Sequence, residues 1–90
     1  MKRLKDRKHL EFVSKMPCCC CGMLGVQVHH LLRADPKRGM GRKADDKFAV
    51  PLCPRHHREL HSDGNEERFL RAHNVNGKQL AEILWRSSKL

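Results

Sequence analysis

Ninety residues, with 19 Lys and Arg against 10 Asp and Glu, give a formal charge of +9. That length supports a single domain with a thin core, because a chain of this size buries only about 60% of the surface its unfolded form exposes. No apolar run is long enough to span a bilayer, and the opening MKRLKDRKHLEF is charged where a signal peptide would be apolar.

The expected setting is therefore cytoplasmic, and the charge excess points to a polyanionic partner, nucleic acid above all. Aromatic residues are few: Phe12, Phe48, Phe69 and Trp85, with no tyrosine. The cysteines number 5, an odd count, and four of them are consecutive. In a reducing compartment, clustered Cys and His favour a metal over disulfides. Small scaffolds commonly depend on such a staple.

In chain order, residues 1–16 predict a helix. Leu4, Lys8 and Phe12 share one face, Leu10 and Val13 another, and Pro17 ends it. CCCCGMLG predicts a tight metal-binding turn. VQVHHLL predicts a strand. RADPKRGMGRKADD is a basic loop broken by Pro36, Gly39 and Gly41. KFAVPLC is short and extended.

Pro54 suits the first position of a helix through RHHRELH. Gly64 stops that helix, and Asn65 caps another over 66–73. NGKQLAEILWRSSKL predicts a last helix with Leu80, Ile83, Leu84 and Ser87 on its inner face. Trp85 and Leu90 would then be exposed near the terminus. The single domain over residues 1–90 thus divides into an N-terminal helix (1–16), a knuckle and core (17–63) and accessory helices (65–88).

Two groups of residues carry chemistry. Cys18 and Cys21 form C-x-x-C with Gly22 behind them, and Cys53 and His56 repeat the two-residue gap. Three thiolates and one imidazole make an ordinary structural zinc set. It would pin the knuckle to the start of the RHHRELH helix and contribute much of the folding free energy. Cys19 and Cys20 then read as small filler or as an exposed thiol. His57 in place of His56 is a second way to complete the site.

The other group is histidine alone. His57 and His61 lie one helical turn apart on one face, while His56 is about 100° away around the axis. His29 and His30, neighbours on a strand, point to opposite faces, and a twist at the strand end would let both approach one site. Neutral imidazoles of His29, His57 and His61 would hold a divalent cation with positions open for water and phosphate, as catalytic sites do. Such donors accept Zn²⁺, Mg²⁺, Mn²⁺ or Ni²⁺. His9 and His73 read as ordinary surface or core histidines.

HHLL, GMGRKADDKFAVPLC and HHRELH, in that order, resemble the HNH (His-Me finger) nucleases. The closer likeness is to the small phage and prophage group related to the RecA-dependent nuclease Ref, which shares PC-x-x-CG, HHL, G-x-G-x-K, an Asp before PLC, and HH-x-x-LH. The resemblance implies an α+β fold: a small ββα-metal core with a structural zinc knuckle and flanking helices. It also implies a metal-dependent endonuclease that hydrolyses DNA phosphodiester bonds.

By that resemblance His30 is the general base, and His29, His57 and His61 hold the catalytic ion. The family's asparagine is missing between the HH pair and the helix. Asp46 stands nearest its place, where it would accept the Nδ1 proton of His30. Arg33, Lys37, Arg38, Arg42 and Lys43 in the loop, with Arg55 and Arg58 on the helix, could hold flanking phosphates. The expected partner is DNA, with single-stranded, nicked and branched forms all open, in a bacterial or phage-infected cell. Recombination or phage proteins are conceivable companions, and monomer and dimer are both open. The rival reading is a non-catalytic, zinc-stabilised nucleic-acid-binding module. A knuckle, however, needs four ligands, and the sulfur-rich set already supplies them.

Overall fold

Asp6 accepts the His9 amide on its side chain and so opens the first helix, α1 (Arg7–Ser14). The computed structural model describes residues 5–31 and 45–90. After α1 come strand β1 (Gln27–His30), one 3-10 turn (Asp46–Phe48) and strand β2 (Ala49–Leu52). Helices α2 (Pro54–Asp63), α3 (Glu66–Ala72) and α4 (Gly77–Ser88) complete the chain. Among the described residues the architecture is a small α+β unit: a two-stranded sheet carrying four helices. Among the described residues no helix is long and apolar enough to cross a membrane.

The strands pair antiparallel, with His29 opposite Val50 and His30 opposite Ala49. Every residue of β2 is buried, so this strand is the floor of the molecule. Pro51 is tolerated because each strand of a two-stranded sheet is an edge. Its carbonyl accepts the Cys19 amide at 3.1 Å, which fastens the cysteine turn to the outer side of β2. Leu31, Val50, Leu52, Leu60, Phe69, Leu70 and Ala81 form one core cluster with Cys18 and Cys53.

Three helix starts carry the caps their sequences encode. Cys53 caps α2, with its sulfur accepting the His56 amide and Pro54 in the first turn. Asn65 and Asn76 cap α3 and α4 through their side-chain oxygens. Gly64 closes α2 in the left-handed region, at φ 79°. Glycine takes that conformation without the steric cost a side chain would bring.

Two helix faces differ from expectation. In α1 the inward residues are His9 and Val13, while Lys8 is exposed, Leu10 and Phe12 are half-buried and Leu4 lies outside the described residues. The helix itself is Arg7–Ser14, with residues 15–16 outside it. In α4 the inward line is Gly77, Ala81, Leu84 and Ser88, and Ile83 faces solvent at 52% exposure. Small residues explain the rotation. A Cβ on Gly77 would stand 3.0 Å from Leu70 Cδ1 and 3.2 Å from Leu31 Cδ2, so the helix packs by close approach along its small-residue face. Trp85 is not exposed either: its ring meets His9 edge-on at 4.8 Å, and the Lys89 ammonium lies 4.1 Å from its centroid. Leu90 is fully exposed.

Candidate metal centres

The cysteine turn and α2 build the first centre. Gly22 donates its amide to the Cys18 carbonyl at 2.8 Å and takes φ 79°, folding residues 18–22 into a knuckle. The ligand atoms of Cys18, Cys21, Cys53 and His56 all lie within 4.8 Å of one another. Two sulfurs bound about 2.3 Å from one tetrahedral ion would stand about 3.8 Å apart; Cys21 and Cys53 stand 3.8 Å apart. A sulfur and an imidazole nitrogen on the same ion would be separated by about 3.5 Å. His56 Nδ1 lies 3.2 Å from Cys53 Sγ and 3.8 Å from Cys18 Sγ.

Burial pushes the Cys18 thiol up, but the backbone amides of Cys53, Cys20 and Cys21 outweigh it and bring it to about 7. A thiolate is thus accessible where a ligand is needed. Cys19 and Cys20 behave oppositely. Both are half-buried against the core. Burial, then the neighbouring Cys18, raises Cys19 to about 11, and burial with Cys19 and Cys18 raises Cys20 further. Neither belongs to the group of four converging ligand atoms.

The second centre joins β1 to α2. His29, His57 and His61 bring one nitrogen each within 4.8 Å of the others. His57 Nε2 lies 3.1 Å from His29 Nδ1 and 3.2 Å from His61 Nε2. Nitrogens about 2.05 Å from one ion would be about 2.9 Å apart at a right angle and about 3.3 Å apart at the tetrahedral angle. The observed separations fall between these limits.

The outer contacts of these rings fix their tautomers. His29 Nε2 meets Glu66 Oε1 at 2.5 Å and therefore donates, which leaves a lone pair on Nδ1. His57 Nδ1 meets the side-chain oxygen of Gln27 at 2.7 Å and donates there, which leaves a lone pair on Nε2. The two lone pairs face each other. One extra proton can bridge one pair of rings, whereas a divalent cation serves all three nitrogens at once. Burial, then the rings of His29 and His61, also holds the His57 imidazole below its usual range, in the neutral form a ligand requires. Glu66 and Gln27 were not among the residues singled out by motif, since neither belongs to the His/Cys pattern.

Both clusters could therefore hold a metal ion, and α2 serves both. His56 turns to the sulfurs, and His57 turns to His29 and His61. His57 does not complete the cysteine set, because its two nitrogens are already engaged elsewhere.

The family model for a protein of unknown function (DUF968) matches residues 1–87 of the chain. The chain belongs to the DUF968 family. The uncharacterized protein YdfU of Escherichia coli strain K12 is 45% identical over 62 residues, which is 69% of this chain and 18% of YdfU. The chain thus spans less than a fifth of that curated relative's length. No solved structure matches it.

In this DUF968 chain His30 belongs to neither cluster. Its half-buried ring faces Asp46, whose carboxylate is buried. The contact corrects one detail of the sequence reading: Asp46 Oδ1 meets His30 Nε2, at 2.9 Å, rather than Nδ1. The lone pair of neutral His30 is then on Nδ1. Asp46 Oδ2 accepts the Asp6 backbone amide at 2.7 Å, which ties the start of α1 to the same carboxylate. Arg55 and Arg58 lie on the exposed side of α2, Arg55 paired with Glu59 at 3.3 Å. Arg33, Lys37, Arg38, Arg42 and Lys43 lie outside the described residues. His73 is half-buried, with its ring 5.1 Å from that of His56.

Proposed function

We propose that this chain is a metal-dependent endonuclease of the HNH (His-Me finger) type that hydrolyses DNA phosphodiester bonds. The observation that carries the reading is the pairing of two adjacent strand residues with two different surroundings. His29 joins an all-imidazole cluster with converging lone pairs, while His30 keeps a free lone pair on Nδ1 and is oriented by a buried carboxylate. The order β1, β2, α2, with histidines on β1 and α2, supports the reading, being the order a ββα-metal unit would need.

In this reading Cys18, Cys21, Cys53 and His56 hold a structural zinc. His29, His57 and His61 hold a divalent cation, Mg²⁺, Mn²⁺, Ni²⁺ or Zn²⁺, which when bound acts as a Lewis acid on the scissile phosphate. His30 Nδ1 takes a proton from the attacking water as the 3′ oxygen leaves phosphorus. Asp46 holds the ring in the tautomer this needs and stabilises the imidazolium that forms. Arg58, with Arg55, offers charge for flanking phosphates. The net charge of +9 draws the polyanion in.

Supercoiled plasmid incubated with Mg²⁺ or Mn²⁺ tests the reading, with EDTA and His30→Ala as controls. Divalent-dependent nicking that His30→Ala loses is the expected result. Cleavage unchanged by His30→Ala would remove the base from its role. Plasmid binding without any cleavage would leave the zinc-stabilised binding module instead.

A further inference from the structure

The imidazole cluster has a component that the spacing of its ligands does not reveal. Glu66 Oε1 lies 2.5 Å from His29 Nε2, and both side chains are largely withdrawn from solvent, at 12% and 4% exposure. We infer that Glu66 is the positioning residue of this centre, setting how tightly a divalent cation is held by fixing His29 as the Nε2–H tautomer with Nδ1 aimed at His57 and His61. The inference rests on the metal reading of the cluster.

The chain's path explains how Glu66 reaches that place. Helix α2 carries His57 and His61 and ends at Gly64. Asn65 then caps α3 at once, so Glu66 becomes the first residue of the next helix. The turn folds α3 back so that ligands and orienting carboxylate approach His29 from consecutive helices. A charge-assisted contact to a withdrawn imidazole is stronger than a neutral one. It also raises the basicity of the nitrogen facing the metal, and losing such a partner commonly weakens metal binding about 10- to 100-fold.

The competing explanation is that Glu66 merely favours the positive end of α3, as acids in a first turn do. Glu67 separates the two. It shares the first turn, but its carboxylate is exposed and pairs with Arg71 at 3.1 Å. Glu67→Gln removes the same helix-end charge without touching His29.

Co²⁺ alone serves as the probe. Wild type, Glu66→Gln and Glu67→Gln, each holding one zinc per chain by metal analysis so that only the sulfur centre is filled, are titrated with Co²⁺, followed by calorimetry and by the visible absorption of the bound ion. The expected outcome is one Co²⁺ per wild-type chain beyond the zinc, affinity about 10- to 100-fold lower in Glu66→Gln, and wild-type affinity with an unchanged spectrum in Glu67→Gln. Equal affinity in wild type and Glu66→Gln overturns the inference and leaves the metal reading standing. Equal weakening in both variants overturns it in favour of the helix-end effect. Failure of the wild type to take up Co²⁺ removes the metal reading itself. Long-range ¹⁵N NMR of the wild type gives a check independent of any variant: His29 should carry its proton on Nε2, and an Nδ1–H tautomer sinks the inference.

Discussion

His30 and Asp46 make the most direct prediction at the scale of single residues. His30 is half-buried and bears no core load, so His30→Ala should fold normally while cleavage falls by about 10²- to 10⁴-fold, the usual worth of a positioned base. Rates of plasmid nicking alongside circular dichroism check this. Asp46→Ala differs because the carboxylate accepts from both His30 and the Asp6 amide. Unpairing those groups should cost about 1–3 kcal/mol in urea unfolding, besides the loss of activity. Among the cysteines, Cys18→Ser should lose zinc and fold, since structural zinc contributes on a scale comparable with the whole stability of a small domain. Cys19→Ala should keep its zinc content. Zinc analysis and melting curves compare the two. The candidate ligands were legible in the chain because C-x-x-C, C-x-x-H and H-x-x-x-H are local spacings. Glu66 was not, because it meets His29 across 37 positions.

At the scale of elements, α2 is a three-sided device: His56 toward sulfur, His57 and His61 toward β1, and Leu60 into the core. Leu60→Ala should cost about 2–5 kcal/mol in urea unfolding, more than any exposed substitution on the same helix. The α1–α4 interface holds a second element-scale feature. His9 is buried, its Nδ1 lies 2.7 Å from Ser88 Oγ, and its Nε2 has no hydrogen-bond partner among the described residues. Burial pushes this imidazole below its ordinary 6.5, although Asp6 and Asp46 pull the other way. The unfolded chain therefore binds the proton first, so stability is full above pH 6.5 and falls as the pH drops below it. Urea unfolding at saturating zinc between pH 7 and pH 5 should show a flatter decline for His9→Phe than for wild type. Helix positions were readable from Pro54, Gly64 and Asn65, which act locally. The inward faces of α1 and α4 were readable in part: Val13, Leu80 and Leu84 pack inward as expected, whereas the pattern of large apolar residues also pointed to Ile83 and Phe12. Packing instead chose Gly77 and Ala81, whose small size allows closer approach, and His9, whose ring meets Trp85 and Ser88.

At the scale of the whole molecule, the apolar core is one small cluster on a two-stranded sheet, and the sulfur centre joins the N-terminal knuckle to α2 within it. Chelation strong enough to strip that centre should unfold the chain cooperatively, with far-ultraviolet dichroism and zinc release coinciding; a folded apo-protein would show the core sufficient by itself. DNA binding should weaken as salt rises, about one counterion being released per phosphate contacted, measured by anisotropy of a labelled duplex across salt concentrations. The sequence alone determined the small α+β class, the two candidate donor sets, the Gly64 stop with the Asn65 cap, and the basic charge, because each depends on composition or on residues a few positions apart. Only the tertiary structure decided which of His56 and His57 serves which centre, which nitrogen of His30 meets Asp46, and that Glu66 and Gln27 stand behind the imidazoles. Those choices depend on the rotation of α2 against β1 and on the turn at Gly64, and rotations of packed elements follow from which side chains can approach closely, a property no local spacing records.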